Sequence, residues 1–219
     1  QIISELMVLS NSLAGEFCNK NKIPCIYRYQ DEPVEVVEPD EKLPNIVSMF
    51  RQRRFMKKSE VSTIPSEHHG LGLKFYTQMT SPIRRYSDLV IHRQIKNFLR
   101  EGKPLYNEEQ VREVINFSEH SISICNLIQR NSIRYWLCKY LIPYKGFKTN
   151  ALVLDLSEDK YIVHLYDFCT ELPFPKDFGY KFEPGQEIEV VIRDIHIRKG
   201  IIIIKPLKEP KPEIEKIEI

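Results

Sequence analysis

Apolar residues recur at helical spacing from the first residues onward: Ile2, Leu6, Leu9, Leu13 and Phe17. That repeat predicts an amphipathic helix over 2–20 with the stripe turned toward a core. Pro33, Pro39 and Pro44, set among acids, predict an extended linker, and 45–58 reads as a short basic helix. Leu71, Leu73 and Phe75 alternate as in a strand that feeds Ser81. Ser81 is a favoured N-cap and Pro82 suits a first helical position, so a helix is predicted from there to about Leu99, ending near Gly102. Ile83, Leu89 and Val90 supply its apolar side. Asn107 and Gln110 have the spacing of a capping box, with Glu108 and Glu109 suited to a first turn. From Val111 through Ile122, Ile128, Trp136 and Tyr140, apolar positions then support a long helix to about Leu141.

Beyond Pro143 the texture becomes alternating. The runs 147–154, 160–166, 186–197 and 200–206 are β-rich, and Ile188, Val190 and Ile192 alternate with Glu187, Glu189 and Arg193 as in a half-buried antiparallel strand. Pro184-Gly185 signals the turn before it. Five short strands fit a small barrel of the OB type. Phe147, Tyr161, His164, Tyr166 and Phe168 could offer stacking platforms for bases, with about half of them turned into the barrel by strand alternation. The charged, proline-containing stretch 209–219 reads as a frayed tail.

Of the 219 residues 42% are hydrophobic, enough for a buried core, and length suggests one and a half to two compact units. A net charge of +2 says little by itself. Its distribution says more, because Arg51, Arg53, Arg54, Lys57 and Lys58 form a basic run that could be either a solvated helix face or a footprint for nucleic acid. Five cysteines form no C-x-x-C pair or zinc spacing, which points to reduced thiols and a cytoplasmic location. The adjacent His68 and His69 lack a carboxylate or thiol at ligand spacing. No apolar run reaches membrane-spanning length. The chain opens on Gln1 in mid-helix sequence, as if a larger protein's N-terminal part preceded it.

The chemistry concentrates around residue 84. In a helix begun by Pro82, Arg84 lies in the first turn, beside unpaired N–H groups where an anion is favoured. Arg84, Asp88 and His92 then share one helix face, with Asp88 placed to hold an arginine in one rotamer. Such a face could grip a phosphodiester, with Arg85 or Arg93 adding charge. The same pattern also describes a capped surface helix with ordinary charge pairs.

The stretch from His68 through Gly70, Leu71, Leu73 and Tyr76 into Thr80-Ser-Pro-Ile-Arg-Arg-Tyr-Ser-Asp-Leu89 and His92-Arg93 closely resembles the signature of the ribonuclease II / ribonuclease R family. Glu5, Met7, Asn11 and Ala14, then Pro24, Tyr27 and Arg28, resemble upstream family segments. The resemblance implies an α+β protein. Residues 1–142 would be the mainly helical C-terminal portion of an RNB-type catalytic domain, 143–208 an S1-like OB-fold barrel and 209–219 a tail. It implies a processive 3′-to-5′ exoribonuclease, a monomer acting with Mg²⁺ on single-stranded RNA and releasing nucleoside monophosphates. Arg84 would be the catalytic residue, with Glu5, Tyr76, Ser81, Arg85, Tyr86, Asp88, His92, Arg93 and Gln129 contacting RNA. Gln129 stands where many relatives have a carboxylate. The family's aspartate cluster for Mg²⁺ has no counterpart in this sequence, Glu38, Asp40 and Glu41 included, so the metal ligands are expected elsewhere. A non-catalytic RNA-binding module is the alternative expectation.

Overall fold

The computed structural model describes residues 2–36, 42–176 and 180–207. The elements run α1 (Ile2–Lys20), β1 (Tyr27–Tyr29), α2 (Asn45–Phe55), β2 (Glu60–Ser62), α3 (Tyr86–Glu101), α4 (Glu108–Leu141), β3 (Lys148–Leu156), β4 (Lys160–Leu165), β5 (Thr170–Pro175), β6 (Glu187–His196) and β7 (Ile201–Pro206). They group into two compact units. One holds α1, the β1–β2 pair, α3 and α4 up to Asn126; the other holds α2, α4 from Leu127 and the five-stranded sheet. Grouping α2 with the sheet differs from a single division at 142.

In the first unit α1 forms as expected, but its apolar stripe reaches the core only at Phe17, which packs on Phe98. Ile2, Leu6, Leu9 and Leu13 are all more than half exposed, whereas Asn11, Ala14, Gly15 and Cys18 are buried. The reason is close approach. A Cβ on Gly15 would sit 3.3 Å from the backbone of Phe75 and Tyr76, so the small-residue face is the one that admits this segment. Cys18 and Cys25 join Ile26, Tyr27, Val90, Ile91 and Val111 in the core, as small hydrophobes rather than ligands.

The expected strand over 71–75 is absent. His69–Leu71 is a 3₁₀ turn closed by Gly72 in the left-handed region (φ 62°), and only isolated bridges link His68 to Leu73 and Tyr27 to Thr77. Helix α3 also starts later than expected. Residues 82–84 form a turn, Arg85 is the extended N-cap (φ −124°, ψ 116°), and the helix begins at Tyr86. Ser81 accepts backbone hydrogen bonds from Arg84 and Arg85 (3.2 and 3.0 Å), which closes that turn. Ile83 is therefore fully exposed rather than on an apolar helix face.

The capping box at α4 forms reciprocally: the Asn107 N–H donates to Gln110 Oε1 (3.0 Å), and the Gln110 N–H donates to Asn107 Oδ1 (2.9 Å). The helix is 34 residues long, yet Phe117, Leu127, Ile128, Ile133, Trp136 and Tyr140 along it are exposed.

The sheet of the second unit has the order β5-β4-β3-β6-β7, antiparallel throughout, the pairing of a partly open OB-like barrel. Inward positions of every strand, among them Val153, Val163, Leu165, Leu172, Phe174, Val190, Ile192 and Ile204, make one core. Strand β5 has no expected run behind it. Its Pro173 and Pro175 lie on an edge strand, where a missing N–H costs no ladder bond. Leu152 and Leu154 point to the opposite face of β3 and are covered by Val47 of α2. Arg53 donates to both Glu171 oxygens (3.1 Å each) and Arg54 pairs with Asp155. Two cations of the basic run are thus neutralised against the sheet and do not form an open footprint. Tyr161 is core, while Phe147 and Tyr166 stay exposed.

Candidate nucleic-acid interface

The segment 76–81 is irregular, and its polar groups are satisfied from both sides by α1, α3 and the chain near β1. Asn11 does most of this. Its Nδ2 donates to the Tyr76 hydroxyl (3.2 Å), its Oδ1 accepts from the Met79 N–H (2.9 Å), and its carbonyl accepts from the Thr77 N–H (3.5 Å). His92 Nε2 lies 2.7 Å from the Met79 carbonyl; since a carbonyl only accepts, that nitrogen carries the proton. The Thr77 hydroxyl donates to the Ile26 carbonyl (2.6 Å). Asp88, fully buried, accepts from the Ser81 N–H (2.9 Å) and from the Arg85 guanidinium (2.7 Å) through the same oxygen.

This bracket shapes an open groove with a volume of about 250 Å³, lined by Ser4, Met7, Val8 and Asn11 of α1 and by Tyr76, Gln78, Thr80, Ser81, Arg84 and Arg85. Arg84 is exposed at its edge, and its guanidinium has no partner among the described residues. Arg85 is committed to Asp88, and its Nε is buried and unpaired among the described residues. A free guanidinium and hydroxyls from Ser4 and Thr80 fit an anionic, sugar-bearing chain.

The remaining expected residues are placed differently. Arg84, Asp88 and His92 do not share a helix face, because Arg84 belongs to the preceding turn; the arginine that Asp88 holds is Arg85. Asp88 and His92 hold the 76–81 segment and do not line the groove. Tyr76 lines it but is buried, its ring edge-on to His68 at 5.4 Å. Tyr86 is half exposed in the first turn of α3. Glu5 is exposed on α1 without lining the groove. Arg93 donates to the Tyr106 hydroxyl (3.3 Å) and lines a different groove. Gln129 is exposed on the part of α4 that groups with the barrel. Sequence reasoning missed Ser4, Met7, Val8, Gln78 and Thr80 as lining residues; the last two sit inside the signature run, which was the available signal.

Among the described residues no three His, Cys, Asp or Glu side chains cluster as metal ligands, and Glu38, Asp40 and Glu41 lie outside those residues. The described side chains do not fit a Mg²⁺ site. No described helix is long and apolar enough to cross a membrane.

Residues 1–101 match the family model described as RNB domain. A sequence from Synechocystis described as an uncharacterised ribonuclease is 41% identical over 88% of this chain and 29% of its own length. The chain belongs to the ribonuclease II/R family. The chloroplastic/mitochondrial ribonuclease II of Arabidopsis thaliana is 29% identical, over 94% of this chain and 26% of its own length. The chain therefore spans under a third of these curated relatives. In fold it is similar to an active-site mutant of the Dss1 exoribonuclease from Candida glabrata (24% identity, TM-score 0.76, 92% of this chain and 28% of that one). It is also similar to Mycoplasma genitalium RNase R bound to ribose-methylated single-stranded RNA (16%, TM-score 0.73, 94% and 41%). A third likeness is to yeast Ssd1, described as a pseudonuclease (18%, TM-score 0.68, 88% and 29%).

Proposed function

We propose that these residues form the RNA-gripping part of a 3′-to-5′ exoribonuclease that hydrolyses single-stranded RNA to nucleoside 5′-monophosphates. The observation that carries the reading is the unpaired Arg84 guanidinium at the edge of a groove whose wall is fixed by Asn11, Asp88 and His92. Arg84 is the catalytic residue. Its planar fork meets two oxygens of the attacked phosphate and opposes the charge that grows there as the P–O bond breaks. Arg85, held by Asp88, aligns the turn that presents Arg84. The S1-like barrel binds upstream nucleotides, with exposed Phe147 and Tyr166 as stacking surfaces. Mg²⁺ chemistry belongs to carboxylates outside these 219 residues, and no step here depends on them. The protein acts as a monomer.

The test is Arg84→Lys in the complete enzyme, which keeps the charge and loses the fork. Turnover on single-stranded RNA should fall about 100-fold with a small change in affinity. Unchanged turnover would remove Arg84 from the mechanism. The fold likeness to a pseudonuclease keeps one second reading in play, a non-catalytic RNA binder. It would be favoured if the complete protein bound RNA in Mg²⁺ and released no mononucleotide.

A further inference from the structure

We propose a second anion groove, on α3 away from Arg84, that holds a phosphate of an RNA strand. Its lining is Arg93, Lys96, Asn97, Arg100 and Leu105, around a volume of about 230 Å³. The cations stand at i, i+3 and i+7 on one helix, and among the described residues none is ion-paired. Like charges at this spacing repel, a cost that a bound anion removes. The helix C-terminus explains part of the preference for Arg100, since its carbonyls favour a cation there. It does not explain why a walled groove is built around all three.

The walls are fixed from within. Gln94, 1% exposed, spends its whole amide on the chain beside the groove. Its Nε2 donates to the Pro24 and Tyr106 carbonyls, and its Oε1 accepts from the Leu105 and Tyr106 N–H groups (2.7–2.9 Å). Asn97 donates to the Lys103 carbonyl (2.9 Å), and the Tyr106 hydroxyl steadies Arg93. The walls are therefore preformed, with Arg93 held by Tyr106, Lys96 and Arg100 free to turn inward and the apolar side of Leu105 exposed beside them. A phosphodiester fits this chemistry: compact negative charge with a sugar edge. Along α3 the groove lies about 15 Å from the Arg84 turn, so one strand entering the first site could extend to the second. The choice of RNA as the phosphate source rests on the proposed function; the anion groove itself does not.

The experiment measures equilibrium binding of a labelled single-stranded RNA oligonucleotide to the whole chain, without divalent metal, across a salt series. In K96Q/R100Q the slope of log K against log salt should shallow by about 1.4, roughly 0.7 per lost phosphate contact. The exposed control K20Q/K74Q should leave it unchanged. An unchanged slope in K96Q/R100Q, or an equal change in the control, would overturn the site. Polyglutamate binding that is lost in K96Q/R100Q while RNA binding persists would overturn the RNA assignment. Because the readout is metal-free affinity, this groove can fail while the Arg84 turnover test succeeds, and the reverse.

Discussion

The two compact units solve the same problem in opposite ways. The barrel is held by alternation: each strand sends every second side chain inward, and Thr149 is its one buried polar residue among those described. The signature-bearing unit buries Asn11, His68, Thr77, Asp88, Gln94 and Ser118. Apolar burial is tolerant of which group touches which, so it builds a scaffold. Buried hydrogen bonds are directional, so they fix a position. The unit that carries the candidate site has accepted that constraint in order to place an irregular segment and one free guanidinium.

Phe174→Ala gives the largest expected effect. It removes a 2%-exposed ring packed on Tyr161 (5.1 Å) and Phe182, and should cost about 4 kcal/mol in urea unfolding. Amide exchange over 76–81 should be unaltered in that variant. A loss of protection there would dissolve the contrast between the units. Asp88→Ala should cost about 3 kcal/mol, since it strips the Arg85 guanidinium and the Ser81 N–H of one shared acceptor. It should also raise amide exchange at Ser81 and Arg85. Stability loss without that local signature would mean that Asp88 fills space rather than holds the turn.

How much was legible in the sequence follows the same division. Four of the five barrel strands were readable because alternation is local, while β5 with its two prolines was not; the capping box of α4 was readable because both partners lie within one turn. The outward turn of most of the α1 stripe was not readable. An apolar stripe at helical spacing shows that a helix has an apolar side, but not which side the neighbouring chain occupies; the small face of Ala14, Gly15 and Cys18 decided that. The late start of α3 was also hidden, because the Asp88 bond to Ser81 spans seven residues and outweighs the ordinary preference of Ser-Pro for a helix start. Within the site, Arg84 and the signature were evident. That Asp88 holds an arginine was legible too, but not its grip on the Ser81 N–H, nor the His92 bond to the Met79 carbonyl, since those partners are backbone groups that no side-chain pattern reveals.

Asn11→Leu sharpens the comparison further. With similar volume and no polar atoms, it leaves the Tyr76 hydroxyl and Met79 N–H unpaired and should cost about 2 kcal/mol. A comparable isosteric loss in the barrel, Thr149→Val, should cost less because the partner of that hydroxyl, Asp167, is exposed and can turn to water. The smallest expected effect concerns pH. Burial holds the His68 imidazole below its ordinary 6.5, with the Arg28 charge a lesser cause. The unfolded chain therefore binds the proton more readily, so stability is full above about 6.5 and falls as the pH drops below it. His68→Gln should flatten unfolding free energy between pH 7 and 5 by under 1 kcal/mol. An unchanged slope would show that His68 is not desolvated.

Asn11 also limits what replacement the position can accept. Glutamine carries the amide one methylene too far and serine reaches neither partner, while aspartate could accept from both only by burying a charge. The position asks for a short polar arm, just as Gly15 one turn along asks for no arm at all.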